Sequence, residues 1–219
     1  MTPYLFTLGA TAVLLTSLAN WAHAGDLQYR TASKGLRPVA APVVPVTPPA
    51  PQFELVTWSP TDKEASVTLS DDRLTAFVPV ATWIRATMGK STGKWYWEIV
   101  PTGAQTNIGA GVATDAPIPN LADTRQAYSV WGSGYYCNYG CNGSYEWAKF
   151  KSGDVLGFAV DATKHTLQFY VNGVYRQTVT IPTGVIYPAA GGYSNGSYLG
   201  KFKAANWSYA APTGYAALQ

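Results

Sequence analysis

The chain has 219 residues, of which 47% are hydrophobic and only 12% charged, with a formal net charge of +3. From Phe53 to Gln219, 12 Lys and Arg stand against 11 Asp and Glu, and no basic stripe runs through them, which argues against nucleic-acid binding. The Cys, His and acidic residues form no convergent cluster of the kind a zinc or calcium site needs, so neither a metal nor a cofactor is expected.

The first element is an apolar run, "YLFTLGATAVLLTSL" (Tyr4 to Leu18), followed by Ala22-His23-Ala24. An apolar run closed by an A-x-A site reads as a signal peptide over 1–24, with export and a mature start at Gly25. Met1-Thr2-Pro3 lacks the usual positive charge, so an anchor formed by residues 4–18 is the alternative. That run is shorter than the roughly 20 residues a membrane-spanning helix needs. Residues 25–52 form a leader and linker. Prolines crowd the stretch from Pro38 to Pro51, which favours an extended spacer over a folded element. A plain disordered leader is the alternative, and a docking arm goes with the structural reading below.

Residues 53–219 suffice for one domain with its own core. Its patterns are β throughout. "ASVTLS" and "RLTAFV" flank Asp71-Asp72 as a hairpin, and "WIRATMG", "KWYWEIV", "NIGAGVA", "VLGFAVD", "TLQFYVNG", "VYRQTVTI" and "SYLGKFKA" follow. Short runs at this spacing, each bounded by turn residues, predict a two-sheet antiparallel β-sandwich. Asn172-Gly173 between Val171 and Val174 is a two-residue hairpin turn. In "GKWYWEI" the strand period places Trp95, Trp97 and Ile99 on one face, expected in the core, and Lys94, Tyr96 and Glu98 on the other.

Between Tyr128 and Trp147 lie seven aromatic residues, more than a pair of sandwich strands needs for its core. Trp131, Tyr135, Tyr136 and Tyr139 are therefore candidate ligand-binding residues, in a setting of Gly, Asn and Ser that suits protein contact or stacking on a sugar ring. Cys137 and Cys141 sit within the same stretch. In an exported chain they read as a disulfide that fixes one loop. A catalytic site finds little support. His165 is the single histidine after Ala24, and it sits in a turn without a nucleophile placed to use it. Glu98 has Tyr96 and Val100, rather than an acid, two residues away on its strand face, and Asp154 and Asp161 read as structural acids.

"WSPTDKEASVTLSDDRLTA", "IRATMGKSTGKWYWEI", "IGAGVAT", "SGDVLGFAVDATKHTLQFYVNGV" and "IYPAAGGY" occur in the order seen in SPRY domains. The chain resembles that family from Trp58 to Leu218, especially its bacterial and bacteriophage variants. The resemblance implies a bent, concanavalin-like jelly roll that binds proteins or peptides through loops at one edge, without catalysis. It also implies a binding loop after the Tyr-Pro-Ala motif, where this chain carries Tyr193 and Asn195. The stretch from Leu121 to Trp147 departs from the family pattern, and no family residue transfers onto it. The expectation is an exported, non-catalytic module for a protein or glycan, of adhesin, pilus-associated or phage receptor-binding type. A structural component of a virion or filament, self-associating through the leader, is the alternative; a glycan-active enzyme is the weakest.

Overall fold

The computed structural model describes residues 55–218 apart from residues 123 and 139. The expected signal peptide, anchor and linker, and Tyr139, lie outside the described residues.

The strands in chain order are β1 (Trp58–Lys63), β2 (Thr68–Leu69), β3 (Thr75–Val78), β4 (Thr82–Ala86), β5 (Lys94–Gly103), β6 (Ile108–Ala113), β7 (Ala127–Trp131) and β8 (Tyr136–Cys137). They continue with β9 (Cys141–Asn142), β10 (Leu156–Asp161), β11 (Thr166–Val171), β12 (Val174–Thr180), β13 (Tyr187–Gly192), β14 (Gly196–Lys201) and β15 (Ala216–Ala217). The first sheet runs β1-β4-β13-β6-β7-β8-β9, and the second β12-β11-β10-β5-β14-β3-β2, with β15 beside β5. All of these pairings are antiparallel except that of β15 with β5. The expected sandwich is present. At the turn between β11 and β12, Asn172 and Gly173 both take positive φ, 51° and 75°, as a two-residue hairpin of this type requires.

One continuous core fills the space between the sheets. Ile84, Ala110 and Val130 from the first sheet meet Trp97, Phe158 and Phe169 from the second. Tyr198 of β14 joins them through its hydroxyl, which donates to the Gly191 carbonyl at 2.6 Å and accepts from the Gly109 amide at 3.3 Å. Burial pushes this phenol well above its ordinary value. Trp97 and Ile99 occupy the core as expected, whereas Trp95 lies at its rim, half-buried, with its indole N–H donating to the Thr92 carbonyl.

Both outer faces carry a second cover. On the second sheet, residues 203–217 cross β5 and bury Tyr96 and Glu98, at 2% and 0% exposure. The Glu98 carboxylate accepts from the Ser208 and Tyr209 amides at 2.7 and 2.9 Å and from the Tyr96 hydroxyl at 3.2 Å. The ring of Trp207 stands edge-on to Tyr96, and β15 then pairs with Trp95 and Tyr96. On the first sheet, Ile118, Leu121 and Ala122 pack over Trp83, Ala127, Trp131 and Ala189 as a separate apolar cluster. Arg85 ties that cover down: it forms a two-pronged ion pair with Asp62 and donates to the Thr114 and Ala116 carbonyls.

Candidate functional site

The site begins with glycine. Gly109 of β6 lies beside Trp131 of β7 in the ladder, and a Cβ on Gly109 would stand 2.8 Å from the indole. Only a residue without a side chain lets the indole lie flat on the sheet. The Trp131 N–H then donates to the Ser129 hydroxyl at 3.0 Å, which itself donates to the Leu121 carbonyl at 2.9 Å. Trp131 is thereby fixed, and only 5% exposed.

Tyr193 lies over it. The loop from β13 to β14 is held by the Tyr193 amide, which donates to the Asn107 carbonyl at 2.9 Å. Its ring stacks on Trp131 with centroids 5.3 Å apart and planes 19° from parallel, and 42% of the residue remains exposed. Across from it, the turn after β7 is closed by bonds from the Trp131 amide to the Tyr135 carbonyl and from the Gly134 amide to the Trp131 carbonyl. Tyr135 projects from that turn at 41% exposure. The disulfide Cys137–Cys141 joins β8 to β9, with Cys137 fully buried in the outer cluster. Together these pieces border a cleft of about 360 Å³ lined by Thr106, Asn107, Trp131, Ser133, Tyr135, Cys141 and Tyr193. No lining residue carries a formal charge. The cleft offers a stacking surface flanked by hydroxyl and amide groups, which suits recognition of a flat or extended neutral group.

The other candidates lie elsewhere. Tyr136 faces away from the cleft, stacked on Tyr128 at 5.9 Å and inclined to Tyr145 and Trp147. These rings line a second groove, of about 380 Å³, with Gln177, Val179 and Thr180. Burial first, and the neighbouring Tyr136 second, push the Tyr128 phenol up from its ordinary value. Asn195 lines a third depression with Phe77, Thr102 and Ser197. Of the five described ligand-binding candidates, Trp131, Tyr135 and Tyr193 converge. Thr106, Asn107 and Ser133 were missed. Their one signal was small polar residues beside strand ends, a pattern that most turns share.

Groups capable of chemistry are committed elsewhere. Glu98 spends both oxygens on the 203–217 segment, and Asp161 accepts from the Lys164 amide at 3.0 Å. His165 occupies its turn with φ 53°, away from the cleft lining. Among the described residues no three His, Cys, Asp or Glu side chains gather as metal ligands.

The described residues form an all-β sandwich with an uncharged cleft bordered by its edge loops. Residues 94–198 match the SPRY domain family. Solved structures agree in fold. The SPRY domain of human HERC1 is 15% identical with a TM-score of 0.58, covering 66% of this chain and 96% of that one. The TRIM65 PSpry domain is 13% identical with a TM-score of 0.55, covering 66% of this chain and 90% of that one. No curated protein matches the chain.

Proposed function

We propose that this SPRY domain is a non-catalytic recognition module that takes an exposed loop or extended segment of a protein partner into the Trp131–Tyr193–Tyr135 cleft. The observation that carries the reading is the half-exposed Tyr193 ring stacked on a buried, hydrogen-bonded Trp131. A rigid aromatic anchor beside small polar groups is the usual make-up of an interface hot spot. SPRY domains typically serve as protein-interaction modules, and the cleft lies on edge loops.

The reading extends to place. The A-x-A site after the apolar run and the Cys137–Cys141 disulfide both favour an oxidising, extracytoplasmic setting, although SPRY homologues are typically intracellular. Exported, the domain would act as an adhesin, a pilus-associated tip or a phage receptor-binding module. N-terminal sequencing of the full chain tests export: a start at Gly25 supports it, and a membrane-held chain starting at Met1 overturns it.

For the cleft, the test is selection from a random-peptide display library, followed by affinity measurement on variants. Selected peptides should lose at least about ten-fold in affinity with Tyr193→Ala, at nearly unchanged melting temperature. Peptides that bind the variant and the parent equally well would place recognition elsewhere.

A further inference from the structure

We propose a second binding site, for a neutral sugar ring, in the groove on the far side of the disulfide hairpin. It is lined by Tyr128, Tyr136, Tyr145, Trp147, Gln177 and Thr180, where the edges of the two sheets approach one another.

Three observations meet there. First, the rings form a fan. Tyr136, Tyr145 and Trp147 lie with centroids 5.4 to 6.3 Å apart and planes inclined by 36° to 49°. Rings this close already touch one another and leave no box between them for a cation; they present faces to something laid against them. Tyr145 keeps 44% of its surface exposed, although the hairpin offers it neighbours to bury against.

Second, a polar group is left over. Tyr128 is 4% exposed, yet its hydroxyl has no hydrogen-bond partner among the described residues. Buried hydroxyls almost always find a partner, because leaving one unmatched costs more than the bond itself contributes. The hydroxyl is closed off from solvent, so a ligand oxygen reaches it by displacing the neighbouring rings, and that contact removes the cost. The raised phenol value keeps the group protonated, and so a donor, at all ordinary pH.

Third, the lining carries no formal charge. Its remaining polar groups, the Gln177 amide and the Thr180 hydroxyl on β12, both donate and accept. A flat apolar face surrounded by groups that donate and accept is the complement of a pyranose, whose C–H faces stack on aromatic rings while its hydroxyls point outward. The space, about 380 Å³, accommodates a short stretch of sugar chain.

The experiment uses the full chain and a panel of neutral hexasaccharides of glucose, mannose, galactose and N-acetylglucosamine. Binding is followed through the indole N–H signals in ¹H–¹⁵N spectra. At least one hexasaccharide should bind, moving the Trp147 signal and leaving that of Trp131 in place. Tyr145→Ala should weaken binding at least ten-fold. Tyr128→Phe removes only the hydroxyl and should weaken binding about ten-fold, with a melting temperature unchanged or raised. A purely structural hydroxyl would do the opposite, lowering the melting temperature at constant affinity. The proposal is overturned if no member of the panel binds at millimolar concentration, or if Tyr145→Ala leaves affinity unchanged. It is equally overturned if Tyr193→Ala abolishes sugar binding, since the sugar then occupies the cleft. Failure of peptide recognition at Tyr193 leaves this site untouched, so the two proposals stand or fall separately.

Discussion

Two segments of this chain are equally rich in rings and use them in opposite ways. In β5, Trp95, Tyr96 and Trp97 lie between β10 on one side and β14 and β15 on the other, with a core beneath and a covering segment above. From Tyr128 to Trp147 the sheet runs out at β9, and its rings divide between core, cleft and groove. Aromatic content therefore says little about recognition. What decides is whether a strand has neighbours on both edges and cover on both faces.

The sharpest way to break that contrast is to truncate one ring in β5. Trp97→Ala should cost roughly 3–5 kcal/mol of stability, as for other buried large aromatics. Thermal or denaturant unfolding measures it; a loss below about 1 kcal/mol would mean that the strand's inner face is not the one described.

Next is the cover over β5. Glu98→Ala strands the Ser208 and Tyr209 amides and should cost about 2–3 kcal/mol. Hydrogen exchange should speed up first in residues 203–217. Glu98→Gln and Asp161→Asn should leave binding at the cleft unchanged, and a turnover signal that vanishes with either would reverse the non-catalytic reading.

At the cleft that the other segment borders, the effect moves from stability to affinity. Tyr193→Ala should cost less than about 0.5 kcal/mol of stability, because its ring is largely outside the core. The loss should appear in affinity instead. The paired change Cys137→Ala and Cys141→Ala lies between the two. A ring this small constrains the unfolded chain little, well below the roughly 3 kcal/mol of a 15-residue loop. Affinity should fall several-fold as the Tyr135 turn loses its fixed shape. Unchanged affinity with a much lower melting temperature would make the disulfide purely structural.

The smallest effect is one of pH. The phenols of Tyr96, Tyr128 and Tyr198 are all held up, chiefly by burial. Their folded values lie above the unfolded phenol value of about 10, so their contribution is fully present below that pH. It is lost as pH rises beyond it. Melting temperature should be flat on this account up to about pH 10 and fall above it, and Tyr128→Phe should soften the fall.

Much of the sandwich was legible in the sequence, because period-two runs and the Asn172-Gly173 turn are local signals. The second burial of Tyr96 and Glu98 was not, since its cause is a segment more than a hundred residues away. The same limit explains the site. Tyr135 and Tyr136 are adjacent, and strand alternation sends them to different surfaces, yet the hairpin that fixes their directions is a tertiary feature. Trp131 and Tyr193 meet only because β7 and β13 both flank β6, an order of strands that spacing alone does not specify.

The Tyr198 hydroxyl has a consequence in isotope exchange. Gly109 faces Gly191 in the central β6–β13 pair, and the Tyr198 hydroxyl of the opposite sheet lies 3.3 Å from the same amide nitrogen. Fraying of an edge strand does not release a proton held in a central strand pair. Gly109 is thus a built-in probe for opening of the sheet's centre. Its exchange rate, read with and without a ligand on Trp131 and Tyr193, would show whether a partner at the rim is felt at that centre.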